Sequence, residues 1–379
     1  MFRSAMLEHA LRQRGHRVVR VVSLFDHFAK RSRDPNLLNH NDFLWVRTPG
    51  YRKNVSLARL FDHHVAGKNA GRMIRALGDR FDLLIGCLPT VESAALAVRL
   101  SKRMGAASLI DVRDLWPKLL VDQFPKSLRG FARFALGGMQ QTVERSLRRS
   151  DSVVAVSDSY LDFAVRMRGG ERRGTDQVIG PCRDRIFESR DAGELKRQRE
   201  IAFVGNFLSQ NGVDLEEAIR GFLREPGKAT AWKLVLIGDG PRFPELYAKF
   251  GHESRVEFCG RLGDEALCAR LKSATLGLIP YSPTSAVGQG VPNKLVDYLA
   301  AGCGLLFLGE RLGEAALGRP SVVSFGWRVD ESGSLGNILH RVECEGDELE
   351  SNALRLFDQE FSSDSVMGRY ATHCESLFR

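Results

Sequence analysis

The position in this chain that most needs a chemical reason is a lysine in the first turn of a helix. In Gly288-Gln289-Gly290-Val291-Pro292-Asn293-Lys294-Leu295-Val296-Asp297-Tyr298-Leu299-Ala300-Ala301-Gly302, the glycines at 288 and 290 allow close backbone approach. Pro292 suits the first helical position and Gly302 the stop. The partial positive charge of a helix N-terminus disfavours a cation there by roughly 0.3–1 kcal/mol, so a nearby anion makes sense of Lys294. A helix start with a lysine and glycines is a phosphate site in outline, and Asp297, three residues on, shares its face. A surface Lys–Asp pair that binds nothing is the other reading these residues allow. Asp111-Val112-Arg113-Asp114-Leu115-Trp116-Pro117 ends a strand-like apolar run. Ligands of open α/β sheets bind beyond the carboxyl ends of strands, so Arg113 and Asp114 are candidates for chemistry; a salt-bridged loop around a buried Trp is the alternative. Trp45, Arg47, Tyr51 and Arg52 fall in a loop-like stretch from Asp26 to Asn54. They could grip a sugar by stacking and hydrogen bonding, or be core aromatics. His63 and His64 are adjacent, so on a helix both cannot face one ligand, and at least one is solvated.

The whole chain bounds what these residues can serve. Its 379 residues exceed the ~250–300 at which single cores stop growing, so two domains are expected. The composition, 43% hydrophobic and 27% charged, is that of ordinary folded domains, and no apolar run approaches the ~18 residues of a membrane span. The first ten residues lack the apolar core of a signal peptide, which points to the cytoplasm. Seven cysteines form no C-x-x-C pair and no ladder with the nine histidines; they are expected to be reduced thiols, with no metal site. The net charge of +9 permits nucleic acid, anionic lipid or a nucleotide-linked substrate. The scattered arginines, without a zinc finger, an RNP-type strand or a basic arm, argue against nucleic acid.

Strands and helices must alternate to position the candidates. Residues 4–14 are helical and 17–22 a strand, the back half of a β-α-β unit whose front strand is absent. In a sheet wound from a central first strand, that absence would leave its neighbours unpaired. An apolar strand and a Gly-rich turn, about 10–25 residues long, are therefore expected upstream, strands and helices coming in complete units. Strands at 81–86, 107–112, 152–157 and 177–180 alternate with helices at 91–104 and from Ser159, capped by Ser157 or Asp158. Residues 125–149 are basic with one acid, Glu144, and Phe131, Phe134 and Leu136 interleave with Lys126, Arg129 and Arg133. That is the composition of a helix lying on an anionic membrane, or of one packed on its own sheet with a solvated basic face. Residues 188–200 are polar and read as a linker. A second alternation follows, with strands at 201–204, 232–237, 255–258, 276–281 and 304–308, helices at 213–224 and 264–273, and a largely helical tail from about 349. Neither Gly205-Asn206 nor Gly238-Asp239-Gly240-Pro241 belongs to a G-x-G-x-x-G or a Walker A loop.

In order, Gly205 after its strand, Gly238-Asp239-Gly240-Pro241, Phe258-Cys259-Gly260-Arg261, Ile279-Pro280 and Pro292 through Gly302 resemble the family-4 glycosyltransferases with the GT-B fold. Asp111 through Pro117 is similar to the motif of the subgroup that builds bacterial surface polysaccharides (capsule, lipopolysaccharide, exopolysaccharide). The resemblance covers nearly the whole chain. It implies an α/β protein of two Rossmann-like parallel-sheet domains facing across a cleft, the first lacking its first strand. The expected division is 1–187 for the acceptor side, 188–200 as linker, 201–355 for the nucleotide sugar, and 356–379 as a helix crossing back. It further implies a retaining transferase with no cofactor and no obligatory metal, and a lipid-linked or oligosaccharide acceptor, at the cytoplasmic face of the membrane.

The family's donor signature is two glutamates seven residues apart. The second, on the ribose diol, falls on Asp297, and the first, on the donor sugar, falls on Gln289; both are departures. The Arg and Lys that many members place after the first strand fall on Asn206 and Asn211, which leaves Lys294, its helix N-terminus and Arg261 to hold the diphosphate. The expected donor set is thus Gly205, Asn206, Gly238, Arg261, Gln289, Lys294 and Asp297, with Asp114 and Arg113 as catalytic candidates, near where many relatives carry a His, and Trp45 and Tyr51 on the acceptor side. A catalytically silent GT-B subunit that binds a partner transferase or polysaccharide is the alternative. A GT-B epimerase is disfavoured because Arg113-Asp114-Leu115-Trp116-Pro117 is present.

Overall fold

The computed structural model describes residues 3–27, 29–34, 43–53, 56–122, 124–183, 197–207, 215–225, 231–280, 291–307, 327–328 and 335–378. The chain forms two compact units, one of Phe2–Ile179 with Gly368–Arg379, the other of Gly180–Met367.

The N-terminal unit opens with α1 (Arg3–Gln13), β1 (Arg20–Ser23), the short antiparallel pair β2 (Phe25–Asp26) and β3 (Arg31–Ser32), and β4 (Phe43–Val46). Then come α2 (Leu57–Ala76), β5 (Leu83–Leu88), α3 (Val91–Met104), β6 (Ala107–Val112), α4 (Lys118–Asp122), α5 (Arg129–Ala135), α6 (Gly137–Arg149), β7 (Ser152–Ala155), α7 (Asp158–Arg168) and β8 (Gln177–Val178). Strands β5 to β8 form one parallel sheet in chain order, and β1 pairs in parallel with β4 in a separate two-stranded sheet. No strand precedes α1 among the described residues, and β1 and β5 are not hydrogen-bonded to each other. The continuous Ala-Ser-Leu-Ile-Asp-Val run of β6 is buried on both faces, as a central parallel strand requires; Leu109, Ile110 and Val112 are each 0% exposed. Gly86 lets α3 sit directly on β5, since a Cβ there would lie 2.7 Å from the Ala94 Cα. The N-cap of α7 is Ser157, whose side chain accepts from the Tyr160 amide.

Two expectations fail in this unit. The loop-like stretch from Asp26 to Asn54 contains β4, whose four residues pair with β1 more than twenty positions earlier; a short strand with a distant partner leaves little local pattern. The basic stretch 125–149 is two helices broken at Leu136, not one, where Gly137-Gly138 weaken the helix.

The C-terminal unit comprises β9 (Gln198–Val204), α8 (Leu215–Arg224), β10 (Lys233–Ile237), α9 (Phe243–Phe250), β11 (Val256–Gly260), α10 (Asp264–Ser273), β12 (Ala274–Ile279), α11 (Asn293–Ala300), β13 (Gly304–Phe307), β14 (Trp327–Arg328) and α12 (Leu335–Glu360). Its all-parallel sheet has the order β11-β10-β9-β12-β13-β14, the doubly wound order whose switch point lies between β9 and β12. One face is covered by α11 through Leu295, Val296, Tyr298 and Leu299. The other is covered by α8, α9 and the first turns of α12 through Ile219, Phe222, Leu246, Ile338 and Leu339. β9 begins inside the polar stretch expected to be a linker. Glu200 is only 3% exposed because its carboxylate takes both terminal nitrogens of Arg270, so a buried ion pair reads locally as linker composition. The last helix, α13 (Ser363–Ser376), carries the chain back into the N-terminal unit. There Glu375 pairs with Arg14 and His16, and the Arg3 guanidinium lies over the Tyr370 ring.

Candidate nucleotide and acceptor sites

In the C-terminal unit the site is built at strand ends. The amide of Gly205, just past β9, donates to the Ile237 carbonyl at 3.0 Å, and that of Gly238, just past β10, to the Gly260 carbonyl at 2.8 Å. Both glycines have φ in the left-handed range, +157° and +140°, and a Cβ on Gly238 would lie 1.9 Å from the Gly205 oxygen. Only glycine fits, and the result is bare backbone at the carboxyl edge of the sheet.

α11 is held over that edge by Tyr298. Its ring lies on Gly277 of β12, where a Cβ would be 2.1 Å from the ring. Its hydroxyl accepts from the Val204 amide at 2.9 Å and donates to the Leu278 carbonyl at 3.1 Å. This anchor straddles β9 and β12, the switch point. Pro292 is the N-cap, one position earlier than expected, and Gly302, with φ +75°, follows the helix end as expected.

Lys294 therefore points back at β9. Its Nζ stands 4.0 Å from the Phe203 ring centroid and would be 2.9 Å from a Cβ on Gly205. Burial lowers its pKa to about 7, with Asp297 opposing the shift. Asp297 is 3% exposed, so the surface-pair reading fails for both residues. Burial raises the Asp297 pKa, while the Arg183 guanidinium, hydrogen-bonded to its Oδ1, pulls it down. Arg183 is itself fixed by backbone bonds, its amide to the Phe361 carbonyl and its carbonyl from the Ser363 amide. Asn206 and Arg261 are exposed at the ends of β9 and β11. Gln289, like Gly288, Gly290 and Asn211, lies outside the described residues.

In the N-terminal unit Arg113 is turned toward Asp111, a fully buried carboxylate whose Oδ2 takes the Nε of Arg113 at 2.8 Å and of Arg3 at 3.2 Å. Asp114 lies beyond the strand end. Burial raises its pKa against the opposing charge of Arg59, and burial, with Asp114 adding to it, pushes Tyr160 up to about 12. Trp116 is a buried aromatic, as the alternative reading of this loop had it, yet polar groups flank it. The Arg59 guanidinium lies 4.8 Å over its ring, and the His63 ring lies 5.8 Å away at 30°. Tyr51 joins this cluster through Arg59, Lys30, His63 and a hydrogen bond with His27 Nδ1. Trp45 instead stacks on Phe43 within β4.

Burial, then Arg59, holds the His63 pKa down to about 4, so its ring is neutral at physiological pH; His64 is the exposed member of the pair. Sequence reasoning passed over Arg59, His27, Tyr160 and Arg183, and of the histidine pair it could not say which member is buried. The spacing of Arg59 and His63, one turn apart on α2, was the available signal.

A parallel sheet of this order, with strand-end glycines and a helix-borne lysine at its switch point, is a doubly wound α/β unit. Residues 198–308 match the family model described as glycosyl transferases group 1. Among solved structures, the chain is similar to a sucrose-phosphate synthase from Thermosynechococcus elongatus (TM-score 0.67, 16% identity, covering 99% of this chain and 92% of that one). It is similar also to Anabaena HepE in complex with UDP (TM-score 0.63, 16% identity, 98% and 96%) and to WaaG, a glycosyltransferase involved in lipopolysaccharide biosynthesis (TM-score 0.59, 13% identity, 97% and 94%). No protein of curated function matches the sequence. The likeness gives the chain the GT-B fold, and the family match spans β9 through β13.

Proposed function

We propose that the C-terminal unit binds a nucleoside-diphosphate sugar and the N-terminal unit a lipid-linked or oligosaccharide acceptor. The sugar is transferred with retention, without a cofactor or an obligatory metal, in the synthesis of a bacterial surface polysaccharide at the cytoplasmic face of the membrane. The observation that carries this reading is Lys294, a mostly buried ammonium held against bare glycine backbone at the switch point. A diphosphate there favours the ammonium against its desolvation. As the sugar C1–O bond breaks, negative charge grows on the leaving diphosphate, and Lys294 with the α11 N-terminus stabilises it. Asp297 accepts from the ribose hydroxyls, and the glycine edge admits the phosphates. On the acceptor side, Asp114 orients the hydroxyl that attacks C1, and the leaving phosphate oxygen takes its proton. HepE was solved also with UDP-glucose, which supports a uridine donor, and the involvement of WaaG in lipopolysaccharide biosynthesis supports a surface-polysaccharide acceptor.

The decisive experiment is calorimetric titration of UDP into the wild type and Lys294→Ala, paired with a transfer assay. Lys294→Ala should lower turnover as well as affinity, because its interaction strengthens toward the transition state. Equal affinity and turnover in both would reject the site. The engagement of Asp297 by Arg183 favours one second reading, a silent subunit, which the absence of nucleotide binding to the wild type would select.

No helix among the described residues is long and apolar enough to cross a membrane. α5 and the turn before it expose Phe131 (70%), Phe134 (85%) and Leu128 (50%) beside Lys126, Arg129 and Arg133. This composition supports contact with an anionic membrane that carries the acceptor.

A further inference from the structure

α2 carries an exposed stripe that neither the core nor the transfer site uses. Leu57, Phe61, His64, Lys68 and Arg75 recur at helical spacing along one face. Leu57 is 84% and Phe61 61% exposed. Leu60 of α2 and Leu136 at the end of α5 pack on the same core cluster. Further along, Gly67 and Gly71 bring α2 close to α3. A Cβ on Gly67 would lie 2.6 Å from that of Glu92, and one on Gly71 3.0 Å from Leu96 Cδ1.

Above this contact runs a groove of about 360 Å³, lined among others by His64, Lys68, Arg75, Glu92, Arg99 and Arg103. Among the described residues, none of the four Lys and Arg makes an ion pair. Arg75 and Arg103 stand in the last turns of their helices, where the macrodipole favours a cation. Lys68 and Arg99 lie further in and have no such compensation. Four cations converging on one acid repel one another unless an anion enters.

We propose that this groove binds the phosphate of an anionic lipid headgroup while Leu57 and Phe61 enter the interface beside it, so that α2 lies along the membrane. Charge complementarity selects a phosphate, and the apolar residues in line with the cations select a lipid over a free ion. The proposal rests on the membrane reading above for its lipid, and the variants separate the two.

Flotation is measured with phosphatidylglycerol–phosphatidylcholine vesicles and with phosphatidylcholine alone. The proteins are the wild type, Arg75→Gln with Arg99→Gln, Phe61→Ser, and Arg129→Glu with Arg133→Glu. Retained UDP binding and circular dichroism confirm folding. Arg75→Gln with Arg99→Gln should lower the affinity for anionic vesicles about tenfold or more, and Phe61→Ser should lower it on the same vesicles. Unchanged binding in both overturns the α2 site; if Arg129→Glu with Arg133→Glu then still abolishes it, the α5 reading stands alone. Titration with inorganic phosphate is the other arm. Saturation of the groove by phosphate at vesicle concentrations that give no flotation would assign it to a soluble anion and overturn the lipid.

Discussion

Lys294 and Asp297 are ionisable groups whose burial makes them responsive to a ligand. With its pKa lowered to about 7, Lys294 is largely neutral at pH 8 in the free protein. A diphosphate favours the ammonium, so binding there should take up a proton. Calorimetric UDP titrations at pH 8, in buffers of different ionisation enthalpy, should show an uptake that disappears in Lys294→Arg, since a guanidinium stays charged. Absence of uptake in the wild type would place the phosphates elsewhere. The unfolded lysine binds its proton up to ~10.4 and the folded one only to about 7. The unfolded chain thus holds more protons between those values, and this residue's contribution to stability rises with pH through that window. Asp297→Ala should weaken UDP binding by roughly 1.5–3 kcal/mol, the range for a lost charge-assisted hydrogen bond, with turnover at saturating donor little changed because the ribose is remote from the reacting bond. Arg183→Met should weaken UDP increasingly below neutral pH, since the buried carboxyl then lacks the charge that opposes its protonation. A pH profile parallel to the wild type would show that Arg183 serves only the backbone around Phe361.

At the scale of elements, the site depends on how α11 is seated. Tyr298→Phe leaves the Val204 amide and the Leu278 carbonyl without the hydroxyl they share, a loss of about 1–3 kcal/mol. Gly277→Ala drives a methyl group into the Tyr298 ring, and overpacking of this kind costs about 1–3 kcal/mol. Both should lower the urea midpoint, and Gly277→Ala should also weaken UDP because relief of the clash shifts α11 and Lys294 with it. UDP affinity equal to the wild type in a destabilised Gly277→Ala would uncouple the seat from the site. The boundaries of α3 and α10 coincide with those expected from periodicity and caps, because the signals that start and stop a helix are local. The division of 125–149 into α5 and α6, and the existence of β4, depend on what packs beside them. The fate of the histidine pair was half legible: adjacency requires the two to diverge, but only the meeting of α2 with the loop after β6 decides that His63 is the buried one.

The molecule as a whole has two units, each with its own core, so a nucleotide bound to one should protect that one. At a free concentration near 100 Kd, UDP should add about 2.7 kcal/mol to the stability of the C-terminal unit. Hydrogen exchange should slow in peptides covering β9, β12 and α11 while β6 and α3 are unchanged; slowing confined to the N-terminal unit would assign the nucleotide to the wrong sheet. The sequence by itself determined the alternation of strands and helices, the strand-end glycines, the misplaced cation at Lys294 and the resemblance these carry. Each of those signals lies within a few residues of chain, where period and helix-end charge act. Only the tertiary structure decided that β4 lies beside β1, that Glu200 is buried on Arg270, that Arg183 reaches Asp297 and that Lys294 is desolvated over Phe203. Those partners are separated by 20 or more positions, and which side chains meet across such distances is set by how helices seat on a sheet, which the local pattern does not encode.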